Sequence, residues 1–263
     1  MAVKVGLIGC GHIARALAEG WSRDGLDGAP ALVFYDIDPG HAEALAAACG
    51  GEPAPTAAGL VAASDLIVVA VRPQDVGGVL DGIGELLGQR PLVSVAAGVP
   101  LQDLQRALPA GAKAGRVMPN VAAALGLGVF LLVPGSLGER KPEVAALFAL
   151  AGDVVPIDEG AFDAATAVAG CMPGMLAYLV TAFAAAGRKA GVPADEAVRL
   201  AVAGVHGAAA LIAREGDPAA VLTAAATPGG MTAAGMDALQ DHGVTAAVDA
   251  AIAAATARAA RLT

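Results

Sequence analysis

Near the C-terminus of the 263-residue chain, Thr227-Pro228-Gly229-Gly230-Met231-Thr232 interrupts alanine-rich sequence with polar and hinge-forming residues. Pro228 presets one backbone angle, and the two glycines admit conformations closed to residues with a Cβ. Successive N–H groups can then turn into one concavity and hold an anion. Thr227 and Thr232 place a hydroxyl on either side. The same residues would also serve as a helix–helix turn with a threonine cap. A second loop at the other end of the chain tips the balance towards anion binding.

There, the apolar run Val3 to Ile8 is followed at once by Gly9-Cys10-Gly11-His12-Ile13-Ala14 and then by helix-forming Arg15-Ala16-Leu17-Ala18-Glu19. Strand, tight turn and helix in this order make a dinucleotide fingerprint: Gly9 permits the turn, Gly11 lets backbone approach a pyrophosphate, and Ala14 keeps the helix close to the strand. The pyrophosphate would rest on the helix N-terminus, with His12 and Ile13 in the same loop.

A second apolar run, Ala31 to Tyr35, ends in Asp36, at the distance where this fingerprint places an acid for the adenosine ribose. A carboxylate there accepts from two free ribose hydroxyls and repels a 2′-phosphate. No arginine or lysine follows it in Ile37-Asp38-Pro39-Gly40-His41, so the expected cofactor is NAD(P)H with NADH favoured. Asp38 better suits a cap for the next helix.

The elements that must position these loops alternate. Ala42 to Cys49 reads as helix, and Leu66 to Val71 is a continuous apolar run of the kind buried on both faces of a parallel sheet. Its end carries Ala70-Val71-Arg72-Pro73. Pro91 to Val95 repeats the pattern and ends at Ala96-Ala97-Gly98, and Ala114 to Val117 ends at Met118-Pro119-Asn120. Ligands of open parallel sheets bind beyond the carboxyl ends of the strands, so Arg72, Ala96, Ala97 and Asn120 join the candidate cofactor edge. Arg72 as a surface charge and Asn120 as a turn residue are the plainer readings of each taken singly.

From about Gly160 the pattern becomes helical: Phe162 to Gly187, Ala194 to Glu215, Pro218 to Ala226, and Met231 to Leu262 with a break near Gly243. The expected fold class is α/β, an N-terminal Rossmann-like doubly wound sheet over residues 1–159 followed by an all-helical dimerisation domain over residues 160–263.

Composition narrows the partners. A net charge of −9, with 16 Lys+Arg, leaves no basic stripe for a nucleic acid. Cys10, Cys49 and Cys171 lie far apart without metal-ligand spacing, so no metal is expected and a reducing cytoplasm fits. Mean hydropathy is +0.65, and residues 117–138 and 164–187 contain no charge. Both are rich in alanine and glycine and interrupted by proline. The first reads as two short buried strands around Gly126 and Gly128. The second reads as one long helix, apolar on all sides, to be covered by other helices including those of another subunit. The N-terminal apolar run is already the strand of the glycine loop, so neither a signal peptide nor a membrane span is expected.

Five blocks together carry a resemblance: Gly9 to Ala14, Ala70-Val71-Arg72-Pro73-Gln74, Ser94-Val95-Ala96-Ala97-Gly98-Val99, Arg116-Val117-Met118-Pro119-Asn120, and Thr227 to Thr232. The first is shared by many dehydrogenases; the last three, in this order and spacing, are specific. The chain resembles the pyrroline-5-carboxylate reductase family over nearly its full length. The resemblance implies nicotinamide-dependent reduction of a cyclic imine carboxylate, with hydride passing to the C=N carbon. It also implies that Thr227, Gly229, Gly230 and Met231 surround the substrate carboxylate, that Thr232 hydrogen-bonds near the ring nitrogen as the catalytic residue, and that Glu159 lies close to the substrate. Glu159 read by itself is equally an acid at a helix start. Assembly through the helical domain into dimers or larger rings is implied too.

The chain departs from that family at Ala169-Gly170-Cys171-Met172-Pro173-Gly174-Met175, where relatives carry two serine hydroxyls, and at Ala224-Ala225-Ala226, where they carry an asparagine. Val121-Ala122 stands where a proline usually follows, and Asp36 where many members favour NADPH. A reductase of another carboxylated imine or carbonyl compound, as in secondary metabolism, remains an alternative. So does a non-catalytic dinucleotide-binding relative, against which the retained Gly9, Gly11, Gly229 and Gly230 argue.

Overall fold

The computed structural model describes residues 2–261, which divide into two compact units. One runs to Cys171 and takes up the chain again from Ala254; the other is Met172–Ala253. The division falls after the expected boundary at 159/160, because Phe162 is buried against Met118, Leu131 and Val133 and keeps the next turns on the sheet.

The first unit alternates strand and helix: β1 (Lys4–Ile8), α1 (His12–Trp21), β2 (Ala31–Tyr35), α2 (Pro39–Cys49), β3 (Glu52–Pro53), α3 (Ala57–Ala63), β4 (Leu66–Val69), α4 (Val76–Ile83), β5 (Pro91–Ser94), α5 (Leu101–Ala107) and β6 (Lys113–Met118). β7 (Gly128–Val133), α6 (Lys141–Ala149), β8 (Gly152–Pro156) and the short α7 (Phe162–Ala165) complete it. The eight strands lie in the order β3-β2-β1-β4-β5-β6-β7-β8. The first six run parallel, β7 turns antiparallel to β6, and β8 pairs parallel with β7. The order reverses between β1 and β4, which opens a crevice at their carboxyl ends.

Local sequence explains these elements. All four β4 residues are buried, since helices cover both faces of the sheet. Asp38 caps α2 by accepting the Gly40 N–H at 3.0 Å ahead of Pro39, and Thr56 Oγ1 caps α3 by accepting the Gly59 N–H at 3.0 Å. One face is packed by Leu17 and Trp21 of α1, Leu45 of α2 and Phe148 of α6; the other by Leu60, Leu80, Ile83 and Leu104. Trp21 meets Phe148 edge-on at 5.5 Å, and its Nε1–H donates to the Leu147 carbonyl at 2.9 Å, so this indole buries its polar atom satisfied.

The uncharged stretch 117–138 holds one whole strand and not the expected two: it takes in only the last two residues of β6, which are joined to β7 by a short 3-10 turn (Val121–Leu125) and by Gly126 at φ 73°. The stretch 164–187 is not one continuous helix. α7 passes into a π-helical turn, Thr166–Gly170, in which the Cys171 N–H donates to the Thr166 carbonyl at 3.1 Å, and a new helix starts at Met172. Pro173 is the reason: it has no N–H for the Ala169 carbonyl, so the α-helical ladder cannot run through.

The second unit holds α8 (Met172–Lys189), α9 (Ala194–Glu215), α10 (Pro218–Ala225) and α11 (Met231–Asp241), and α12 (Val244–Ala259) starts in it. The expected helix end at Leu262 lies outside the described residues. Residues 159–189 and α9 are long and apolar enough to cross a membrane by length and composition, yet only 11% and 6% of their most apolar windows are buried within this chain. Tyr178, Leu179, Phe183, Leu200 and Val202 stand exposed.

Candidate active site

At the crevice, Gly9 leaves β1 with φ 93°, and its N–H donates to the Tyr35 carbonyl at 2.8 Å. A Cβ on Gly9 would lie 2.7 Å from the Ala70 carbonyl oxygen and 2.9 Å from Val71 Cγ1, so conformation and space both demand glycine. Gly11, the residue before α1, is exposed with nothing within 4 Å of an added Cβ. The first N–H groups of α1 have no intrahelical acceptor and face an approachable backbone. His12 is exposed there, Ile13 half-buried, and Ala14 fully buried against the sheet.

Asp36 follows β2 and reaches the same loop. Its Oδ2 accepts the Cys10 N–H at 2.8 Å, its Oδ1 accepts the Asp38 N–H at 3.0 Å, and His41 Nδ1 stands 3.5 Å from Oδ1. Burial pushes this carboxyl's pKa up, but the Asp38 and Cys10 N–H groups and His41 outweigh it and hold the pKa below its ordinary value. Burial, and then the charge of Asp36, push the Cys10 thiol up to about 12, so it stays a neutral packing group.

The other strand ends differ in what they offer. Ala70 and Val71 are half-buried beside Gly9, and Pro73 opens a 3-10 turn. The exposed Arg72 side chain pairs with Asp75 at 2.8 Å. Ala96 is buried in the core and its N–H donates to Ser94 Oγ at 3.3 Å, whereas Ala97 is half-buried. Asn120 is also buried: Oδ1 accepts from the Ala122 and Val129 N–H groups at 3.2 and 3.4 Å, and Nδ2 donates to the Ala169 carbonyl at 3.1 Å. Its amide is spent on holding backbone.

Glu159 is held within the first unit by a partner outside the expected site residues. Arg116, inside β6, has its side chain 4% exposed and lies 3.8 Å over the Phe162 ring. Its Nη1 donates to Glu159 Oε1 at 2.6 Å, and the same oxygen accepts the Leu101 N–H at 3.1 Å. Among the described residues no group of three His, Cys, Asp or Glu could hold a metal ion.

In the second unit, Thr227 to Gly230 form a turn closed by the Gly230 N–H donating to the Thr227 carbonyl at 2.9 Å. Pro228 at its second position and Gly229 at φ 74° in its third give it type II character. Only Gly229 has a positive φ. Gly230 is needed for space, since an added Cβ would lie 2.6 Å from Thr227 Oγ1 and 3.0 Å from the Thr227 carbonyl oxygen. The nest is therefore narrower than two flexible glycines suggest, because the Gly230 N–H is taken by the turn. The first N–H groups of α11, from Met231 to Ala233, are the donors that remain without an intrahelical acceptor. Met231 is 95% exposed, and Thr227 and Thr232 are exposed with it.

Residues 4–98 match the family described as NADP oxidoreductase, coenzyme F420-dependent, and residues 159–262 match the family described as pyrroline-5-carboxylate reductase dimerisation. The chain is 34% identical to pyrroline-5-carboxylate reductase of Mycobacterium leprae over 98% of this chain and 96% of that one. Among solved structures, the Streptococcus pyogenes 1-pyrroline-5-carboxylate reductase superposes with a TM-score of 0.84 at 27% identity, covering 98% of each chain. The Plasmodium falciparum pyrroline carboxylate reductase with NADP bound has the same fold, with a TM-score of 0.86 at 24% identity over 99% of this chain and 98% of that one. A glycine loop at the strand-order reversal, a glycine-closed turn before α11 and similarity along the whole length agree: the chain belongs to the pyrroline-5-carboxylate reductase family.

Proposed function

We propose that this chain reduces pyrroline-5-carboxylate to proline with NAD(P)H. The observation that carries this reading is the 34% identity along 98% of the chain to a reductase of that name. The geometry supports it: Gly9 and Gly11 shape a loop fit for a pyrophosphate, and the Asp36 carboxylate stands beside that loop.

A bound reduced nicotinamide supplies the hydride that goes to the ring carbon of the C=N bond while a proton goes to the nitrogen. The backbone of residues 9–14, with His12 and Ile13, holds the pyrophosphate. Asp36 takes the adenosine ribose, and its charge favours NADH over NADPH. Residues 70–73 and the backbone of Ala96 and Ala97 line the rest of the cofactor edge. Asn120 serves that edge by holding its loop. The N–H groups at the start of α11, with Gly229 and Thr227, receive the substrate carboxylate. The Thr232 hydroxyl oxygen accepts the N–H of the iminium, the better electrophile, and orients it; the proton on that nitrogen comes from solvent.

The exposed apolar faces of α8 and α9 are covered by a second copy of the chain, giving a soluble, cytoplasmic homodimer or larger homo-oligomer. The matched family is described by dimerisation, and the formal net charge of −9 disfavours nucleic acid.

Proline-dependent reduction of NAD at high pH tests the assignment. Turnover of proline with none of bulkier ring amino acids is the expected result. The reverse preference supports the second reading, a different carboxylated imine. The segment Ala169 to Met175 favours that reading, because two hydroxyls are lost, at Ala169 and Cys171, and Met172 stands in place of a glycine. Failure of both NADH and NADPH to bind would remove catalysis altogether.

A further inference from the structure

The loop between β5 and α5 carries Ala96 and Ala97 and has no cap of its own. Pro100 precedes α5 and offers no side-chain bond to the helix start. The cap comes instead from 58 residues away, where Glu159 Oε1 accepts the Leu101 N–H at 3.1 Å. At its other end the loop is fixed by the Val95 N–H donating to the Val69 carbonyl at 3.0 Å.

The ion pair behind this cap is built for the loop rather than for itself. Arg116 and Glu159 could meet through two parallel bonds, the favoured arrangement of a guanidinium and a carboxylate. Here a single oxygen of Glu159 takes both Arg116 Nη1 and the Leu101 N–H, while Glu159 Oε2 and Arg116 Nε are buried without hydrogen-bond partners. Polar satisfaction is given up so that Oε1 reaches Leu101. The Phe162 ring lies 3.8 Å below the guanidinium, while Asp163 Oδ1 stands 3.9 Å from Arg116 Nη2, beyond hydrogen-bond distance.

We propose that Glu159, held in place by Arg116, is a positioning residue for the β5–α5 loop and thereby for the dinucleotide, and is not a contact of the substrate. This rests on the reading of Ala96 and Ala97 as part of the cofactor edge. The Glu159 side chain is 37% exposed, and Glu159→Gln keeps an oxygen for Arg116 and the Leu101 N–H, so that variant should leave the fold standing.

The test compares Glu159→Ala, Glu159→Gln and Asp163→Asn. NADH affinity is read by fluorescence titration, amide exchange over residues 96–104 in the ligand-free protein, and the proline KM at saturating NAD. Glu159→Ala should weaken NADH by about tenfold and speed exchange at Leu101, with the proline KM little changed. Glu159→Gln, which keeps an acceptor oxygen, should restore most of both losses. Asp163→Asn, with no bond to Leu101, should leave both readouts as in the parent.

Unchanged NADH affinity and exchange with a raised proline KM would overturn the proposal and return Glu159 to the substrate. So would an equal loss in Asp163→Asn, which would mark a general effect of charge around Arg116. Absence of proline turnover in the parent protein would sink the substrate assignment while leaving the titration and exchange to decide this inference. A parent that binds no dinucleotide would overturn both.

Discussion

Asn120 Nδ2 donates to the Ala169 carbonyl, the acceptor that Pro173, lacking an N–H, leaves without a helical donor. One buried amide thus repairs the break that lets the chain change course after the π-helical turn. Its oxygen holds Ala122 and Val129 as well, so three backbone groups depend on it.

Asn120→Ala should therefore destabilise the protein by about 1–3 kcal/mol, the cost of leaving buried polar groups unsatisfied. Urea unfolding followed by circular dichroism measures it; a loss within error would mean water replaces the amide without cost.

Asp36 braces the glycine loop through Cys10 and is the residue proposed to take the adenosine ribose. Asp36→Ser should raise affinity for NADPH relative to NADH by about tenfold, by removing a negative charge from the place of a 2′-phosphate. Parallel fluorescence titrations report the ratio, and an unaltered preference would mean the ribose lies elsewhere.

The same carboxylate has a pH signature. Its folded pKa lies below its ordinary value of 3.8, so its stabilising contribution is fully present above that value and is lost as pH falls through the lower folded one. The difference in unfolding free energy between the parent and Asp36→Asn should be on the order of 1 kcal/mol at neutral pH and shrink steadily below pH about 4. A difference that stays constant down to pH 2 would show that the charge contributes nothing.

Two substitutions around the turn before α11 should separate binding from chemistry. Gly230→Ala forces Thr227 apart from the new Cβ and should raise the KM for proline by about tenfold with little effect on melting, since the turn is exposed. Thr232→Ala should lower kcat by about tenfold or more while NADH affinity holds. Steady-state kinetics with proline and NAD distinguish the two, and an unaltered rate in Thr232→Ala would remove Thr232 from the mechanism.

Leu200 is 52% and Phe183 55% exposed on helices that pack together within their unit. The parent should sediment as a dimer or larger, and Leu200→Glu should shift it towards monomer, because a charge cannot be buried unpaired at an apolar contact. A monomeric parent in sedimentation velocity would leave those faces for some other partner.

The sequence by itself determined what is locally coded. β1, the Gly9 loop and α1 were legible because an apolar run, a required positive φ and a helix start follow one another within a few residues. α9 matches its expected bounds, Ala194–Glu215, because Gly191-Val192-Pro193 and Gly216-Asp217-Pro218 stop a helix on either side.

Tertiary structure alone decided what joins distant residues. Nothing near Gly128 or Gly152 announces that β7 runs antiparallel to β6 or that β8 closes the sheet. The pairing of Arg116 in β6 with Glu159, 43 residues away, has no local signature. Nor could the sequence show that the Asn120 amide is consumed by Ala169 or that the Gly230 N–H is consumed by the Thr227 carbonyl. Residue type states what a group can donate or accept; only the packed fold, in which every buried polar group competes for partners, decides which of those bonds is made.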